Sequence, residues 1–163
     1  MERRKFLGLG LGVAALSIAP STLSAIDFRT TKPKAWSTTN SMKNKKIDAT
    51  NLDGMNAAIK ELFGSSKTMN KKIKLKAPAI AENGAVIPVT VSTKLNAKTI
   101  GIFQSSNPEA TVAVFTIDKN SIPNYSIRIK MAQTGTVKVV AEVDGKLYSA
   151  EQIVKVTAGG CGG

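Results

Sequence analysis

Cys161 is the only cysteine in this 163-residue chain, and two glycines stand on each side of it, Gly159-Gly160 and Gly162-Gly163. The thiolate of a cysteine is a nucleophile and can hold other groups covalently. Glycine has no Cβ and loses more freedom on ordering than any other residue, so this segment is expected to be a mobile tether that exposes its thiol to other molecules. An unpaired thiol in an exported protein is a liability that needs a reason. No histidine exists in the chain, and the nearest preceding cation is Lys155. A terminal carboxylate two residues beyond Cys161 is expected to disfavour its ionisation. Activation of this thiol is therefore expected inside partner proteins. The plain alternative is a frayed terminus with an incidental cysteine.

The same composition excludes much. Without histidine the usual general base and the commonest transition-metal ligand are missing. One cysteine cannot assemble a zinc, haem or iron–sulfur site within this chain, nor an internal disulfide. The carboxylates are scattered, with Glu82 and Asp144 in expected turns and Asp53 at an expected helix start. The expectation is a non-catalytic protein with no catalytic residue, no metal ligand and no cofactor.

The elements that must carry the thiol can be read along the chain. Arg3-Arg4-Lys5-Phe6-Leu7 followed by a weakly apolar run from Gly8 to Ala19 reads as a twin-arginine export signal over residues 1–25, cut between Ser21 and Ala25. The apolar run is too short to span a bilayer. Removing Glu2, Arg3, Arg4 and Lys5 from 23 basic and 11 acidic residues leaves 20 and 10, a net charge of +10. Residues 26–49 read as a basic linker: 29–46 holds Arg29, Lys32, Lys34, Lys43, Lys45 and Lys46 with no acid. Residues 50–157 read as one domain, and 158–163 as an arm.

Residues 50–63 are expected to form a helix opened by a capping box, Thr50 with Asp53, and closed by Gly64. Leu52, Met55, Ile59 and Leu62 share one face. From Lys72 onward the period becomes two. Short alternating runs begin near Ile73, Val86, Thr99, Thr111, Tyr125, Val137 and Leu147, separated by Glu82-Asn83-Gly84, Ser106-Asn107-Pro108 and the hairpin signal Asp144-Gly145. About seven strands bounded by turns predict an all-β antiparallel sandwich. Pro88 marks an edge strand or a bulge. Arg128, Lys130 and Lys138 are expected on neighbouring strands of one outer face, as plain surface charge or as a patch for acidic partners. Low aromatic content and the absence of a recognisable motif argue against nucleic acid.

Three segments together resemble the SoxY family, sulfur-carrier subunits of the periplasmic thiosulfate-oxidising Sox system. They are the run from Lys74 through Glu82-Asn83-Gly84 to Pro88-Val89, the segment Ile127–Met131, and the ending Val154–Gly163. The resemblance covers residues 50–163. It implies an immunoglobulin-like sandwich and places the carrier thiol at Cys161, with Gly159, Gly160, Gly162 and Gly163 giving the arm its freedom. It further implies a heterodimer with a SoxZ-like β-protein that is exported already folded alongside it. A haem-containing enzyme would couple thiosulfate to the thiol, and a metal-dependent hydrolase would release sulfate. The location implied is the periplasm, with no membrane association after signal cleavage. Two other functions compete: a carrier using a Gly-Gly thiocarboxylate, and an exported structural or adhesion sandwich cross-linked through Cys161. An export signal and an all-β pattern weigh against the first.

Overall fold

The computed structural model describes residues 33–70 and 72–157. Two sheets face each other. The larger holds β4 (Ile80–Ala81), β10 (Lys146–Val156), β9 (Gly135–Val143), β6 (Thr99–Gln104) and β7 (Thr111–Thr116) in that order. The smaller holds β3 (Ile73–Lys76), β5 (Ile87–Thr93) and β8 (Asn124–Ile129). All pairs within these sheets are antiparallel except β4 with β10. The seven longer strands are the seven short runs that the sequence marks. The eighth, β4, is too short to show a period. The expected all-β immunoglobulin-like sandwich is what the chain forms.

Between the sheets, Ile87, Val89 and Val91 of β5 meet Ile100 and Ile102 of β6 and Val137, Val139 and Ala141 of β9. Each is almost wholly removed from water, and burying such a side chain contributes roughly 1.5–3 kcal/mol. Asp144 (φ 50°) and Gly145 (φ 73°) both lie in the left-handed region, the backbone a two-residue hairpin between β9 and β10 requires.

A second core lies outside the larger sheet. Helix α1 (Asp53–Phe63) lays Met55, Ile59, Leu62 and Phe63 over Phe103, Val140 and Leu147. Phe63 meets Phe103 edge to face, with centroids 6.4 Å apart. Gly101 makes room for the helix: a Cβ there would stand 2.7 Å from the Phe103 ring and 3.2 Å from Leu62. Strand β6 is consequently buried on both faces. Gly64 closes the helix at φ 76°, its N–H donating to the Lys60 carbonyl at 2.8 Å.

Four expectations change. The stretch read as a basic linker is structured over 33–49. It forms a 3₁₀ turn at Lys34–Ser37 and a hairpin of β1 (Met42–Lys43) and β2 (Lys46–Ile47), with Ala35 and Asn40 buried. A Cβ on Gly54 would collide with the backbone of Thr39 and Asn40, so helix and segment are packed backbone to backbone. There is no Thr50–Asp53 capping box. The Thr50 hydroxyl donates to Asp48 (2.6 Å), and the Asn51 amide oxygen accepts the Asp53 N–H (2.8 Å), so the helix starts at Asp53. Pro88 lies in β5, the middle strand of its sheet. However, β3 pairs only with Thr90–Thr93, so Pro88 has a neighbour on one side alone, opposite Arg128. Lastly, Arg128 and Lys138 are on different sheets. Lys138 on β9 pairs with Glu151 on β10 at 3.2 Å.

Candidate functional site

Every residue singled out for chemistry, Cys161 with Gly159, Gly160, Gly162 and Gly163, lies outside the described residues. What is described is the place from which that segment departs. Strand β10 ends at Val156 and the description ends at Thr157.

That point is fastened on both sides. On one side β4 runs parallel to β10: Lys155 N–H donates to the Ala79 carbonyl (2.9 Å) and Thr157 N–H to the Ala81 carbonyl (3.1 Å). On the other, Val156 N–H donates to the Thr134 hydroxyl oxygen at 3.0 Å. The inner face of β10 anchors it further, with Val154 wholly buried and Val156 packed against the inter-sheet core. The N–H groups of Lys155, Val156 and Thr157 are thus all satisfied.

The loops around the exit are held by side-chain amides and hydroxyls. The Gln104 side-chain oxygen accepts from Ser106 N–H (2.6 Å), the Ser106 hydroxyl (2.9 Å) and Asn107 N–H (2.8 Å). Asn107 then bridges to the β8–β9 loop, donating to the Lys130 carbonyl (2.7 Å) and accepting from Ala132 N–H (2.9 Å). Met131 N–H reaches the Gly84 carbonyl at 2.8 Å, tying in the Glu82-Asn83-Gly84 turn. The N-terminal segment joins through Ser105 hydroxyl to Ala49 carbonyl (2.8 Å) and Gln133 amide to Ile47 carbonyl (2.7 Å). Satisfied polar groups of this kind fix loop geometry that apolar contacts would leave loose.

Two hollows flank the exit. One, of about 570 Å³, lies between the Ile47–Thr50 turn, the 132–134 loop and Val156. The other, of about 470 Å³, is bounded by Pro78, Ile80, Val86 and Pro88. At the edge of the first, the Thr50 hydroxyl holds the Asp48 carboxyl below its ordinary value, helped by the N–H groups of Thr50 and Asn51 and by the charge of Lys43; desolvation opposes them.

Reading the sequence did not single out Ala79, Ala81 or Thr134. The two alanines act through backbone carbonyls in a two-residue strand, so no side-chain pattern marks them. Thr134 is one of many exposed threonines until the fold places it beside Val156.

Residues 59–161 match the family model "Sulfur oxidation protein SoxY", more than half of the chain and a span that includes the position of Cys161. The sulfur carrier protein SoxY from Chlorobium limicola f thiosulfatophilum has a similar structure, with a TM-score of 0.59 at 42% identity, covering 63% of this chain and 90% of that one. A superoxide reductase (neelaredoxin) from Ignicoccus hospitalis is similar at 17% identity and a TM-score of 0.48, over 53% of this chain and 81% of that one, too distant to bear on activity. No curated protein sequence matches at a significant level. The family match extends to the thiol at residue 161, and the solved carrier is similar over nearly all of its own length: this chain belongs to the SoxY family of sulfur oxidation proteins.

Proposed function

We propose that this chain is a sulfur carrier in thiosulfate oxidation and that Cys161 is the attachment point. The observation that supports it most is the coincidence of a family match reaching residue 161 with a strand end, Lys155–Thr157, fastened on both sides. A carrier needs a firm origin for its arm and a thin, mobile reach beyond it. Three residues, Ala158 to Gly160, separate Thr157 from Cys161, and the four residue-to-residue steps span at most ~14 Å at ~3.3–3.6 Å each. Glycines on both sides of the thiol keep this reach one backbone wide, so the sulfur can enter a narrow channel while the sandwich stays outside.

The chemistry follows from the family resemblance. The Cys161 thiolate and thiosulfate join through a new sulfur–sulfur bond, and the two electrons released pass to a haem-containing partner. The product is a cysteine S-thiosulfonate. A metal-dependent hydrolase then adds water across the terminal sulfur–sulfur bond, releasing sulfate and two protons and leaving a persulfide on Cys161. The carrier performs neither step itself; its contribution is position and access. A SoxZ-like β-protein as heterodimer partner, export by the twin-arginine signal at residues 1–25, and a periplasmic location complete the reading. Among the described residues no helix is long and apolar enough to cross a membrane.

The test is intact and peptide mass of the exported protein after incubation with thiosulfate and the partner enzymes. Added sulfur on the peptide containing Cys161, removable by thiol reductant and lost in Cys161→Ser, is the expected result. An unmodified peptide under turnover overturns the reading. A sulfur load that survives reduction would indicate a thiocarboxylate instead.

A further inference from the structure

Strands β3, β5 and β8 carry three cations, Lys74, Lys76 and Arg128, and not one acid. Alternation along these strands puts all three on the outer face, exposed to water. Register places them in rows: Lys76 opposite Thr90 opposite Ser126, Lys74 opposite Ser92 opposite Asn124, and Pro88 opposite Arg128. The centre of the face is thus hydroxyl and amide. Thr90 and Ser126 share a hydrogen bond of 2.8 Å. Two strand spacings of ~4.8 Å separate the lysine edge from the arginine edge. Lys130, just past β8, extends the cationic side. Among the described residues none of these four cations is in an ion pair; the ion pair present, Lys138–Glu151, is on the other sheet.

We infer that this face docks an acidic protein surface. Unpaired cations around a hydrogen-bonding centre complement carboxylates, and a field of one sign steers an oppositely charged partner into contact. The chemistry does not favour a bilayer or a nucleic acid. The exposed large hydrophobics Met42, Met69, Ile80, Val86, Ile122 and Ile153 all lie outside the three strands, and no aromatic ring stands on the face to stack on a base. Ile87 pairs with Ile129, so β5 begins and β8 ends at the end of the sandwich where β10 leaves it. Asn107 fixes the Lys130 carbonyl there, and Gly84 fixes Met131. A partner seated on this face is held beside the origin of the segment containing Cys161. The identity of that partner as a sulfur-processing enzyme rests on the carrier reading; the docking chemistry does not.

The experiment uses the full exported chain, a reversal variant Lys74→Glu/Arg128→Glu, a neutral variant Lys74→Gln/Arg128→Gln, and a matched control Lys60→Glu/Lys67→Glu on surface outside the face. Binding to labelled poly-L-glutamate, followed by anisotropy across a salt series, is expected to weaken in the order wild type, neutral, reversal, with the control near wild type. In Cys161-dependent sulfate release with the partner enzymes, kcat/KM of the reversal variant should fall about tenfold or more at low salt and converge on wild type as salt screens the field. Alkylation of Cys161 by iodoacetamide should be unchanged. Equal losses in control and reversal variants overturn the inference. So does reversal-sensitive binding to equimolar phosphatidylcholine–phosphatidylglycerol vesicles with turnover unaffected. If wild type shows no Cys161-dependent turnover, the carrier reading fails, and the polyglutamate series alone still decides the docking face.

Discussion

The two sheets of this sandwich share one core but treat their outer faces in opposite ways. The larger sheet is roofed by α1 and the 33–49 segment, so β6 is dry on both sides and β9 nearly so. The smaller sheet leaves its outer face open to water, with lysines, an arginine and hydroxyls. Stability is thereby concentrated on one side of the molecule, while the other is free to vary and to meet partners. Strand β10 belongs to the protected side, and the segment containing Cys161 departs from its end. Under the carrier reading, the arm is thus rooted in the roofed sheet.

The widest separation between the sheets should come from truncating Phe103, which is wholly buried beneath α1. Phe103→Ala is expected to destabilise by about 3–5 kcal/mol, read from denaturant midpoints. Ser92→Val on the open face should stay within about 0.5 kcal/mol. Comparable losses at both sites would erase the contrast. A smaller effect of the same kind is expected at Gly101. Gly101→Val drives a branched side chain into Phe103 and Leu62 and should cost about 1–3 kcal/mol, with helical circular dichroism falling before the β signal as α1 lifts. Simultaneous loss of both signals would mean that roof and sheet are one cooperative unit.

Weaker again is the fastening at the exit. Thr134→Val removes the acceptor of the Val156 N–H and should cost about 1 kcal/mol. Its clearer signature is faster amide exchange at Val156 while exchange at Val154 holds. Unchanged exchange at Val156 would show that β4 alone secures the strand end. The smallest effect belongs to Asp48. Its carboxyl is held below the ordinary 3.8, first by the Thr50 hydroxyl, so the stability it contributes is present above that value and is lost as pH falls through the lowered folded-state value. A melting-temperature series between about pH 5 and pH 2 should therefore fall more steeply in wild type than in Asp48→Asn. Parallel curves would mean the Asp48–Thr50 turn does not couple to folding.

The sandwich was legible because short apolar runs bounded by turns recur, with clear period-two alternation in β3, β5 and β8, and because Asp144-Gly145 and Gly64 mark backbone that needs positive φ. The helix face was legible from Met55, Ile59 and Leu62. The helix start was not: Thr50 and Asp53 satisfy a capping pattern, yet Asp48 and Asn51 compete for the same groups and win by turn geometry. The 33–49 segment misleads because its lysines dominate its composition, while its anchorage depends on Ala35, Asn40 and close backbone contact with Gly54. Of the candidate site, the sequence marks the thiol and its glycines. It does not mark Ala79, Ala81 and Thr134, which matter only because two distant segments arrive beside β10.

By itself, then, the sequence determined residue chemistry and local geometry: a single cysteine framed by glycines, short strands, and turns where only certain backbones fit. Those properties depend on residue type and near neighbours, which a linear chain states directly. The tertiary structure alone decided which sheet is roofed and which is bare, that Lys138 leaves the basic face while Lys74 and Lys76 join it, and what fastens the end of β10. These depend on pairing between strands far apart in the chain. Register and sheet order set such pairings through the joint burial of both partners, and neither partner carries that information alone.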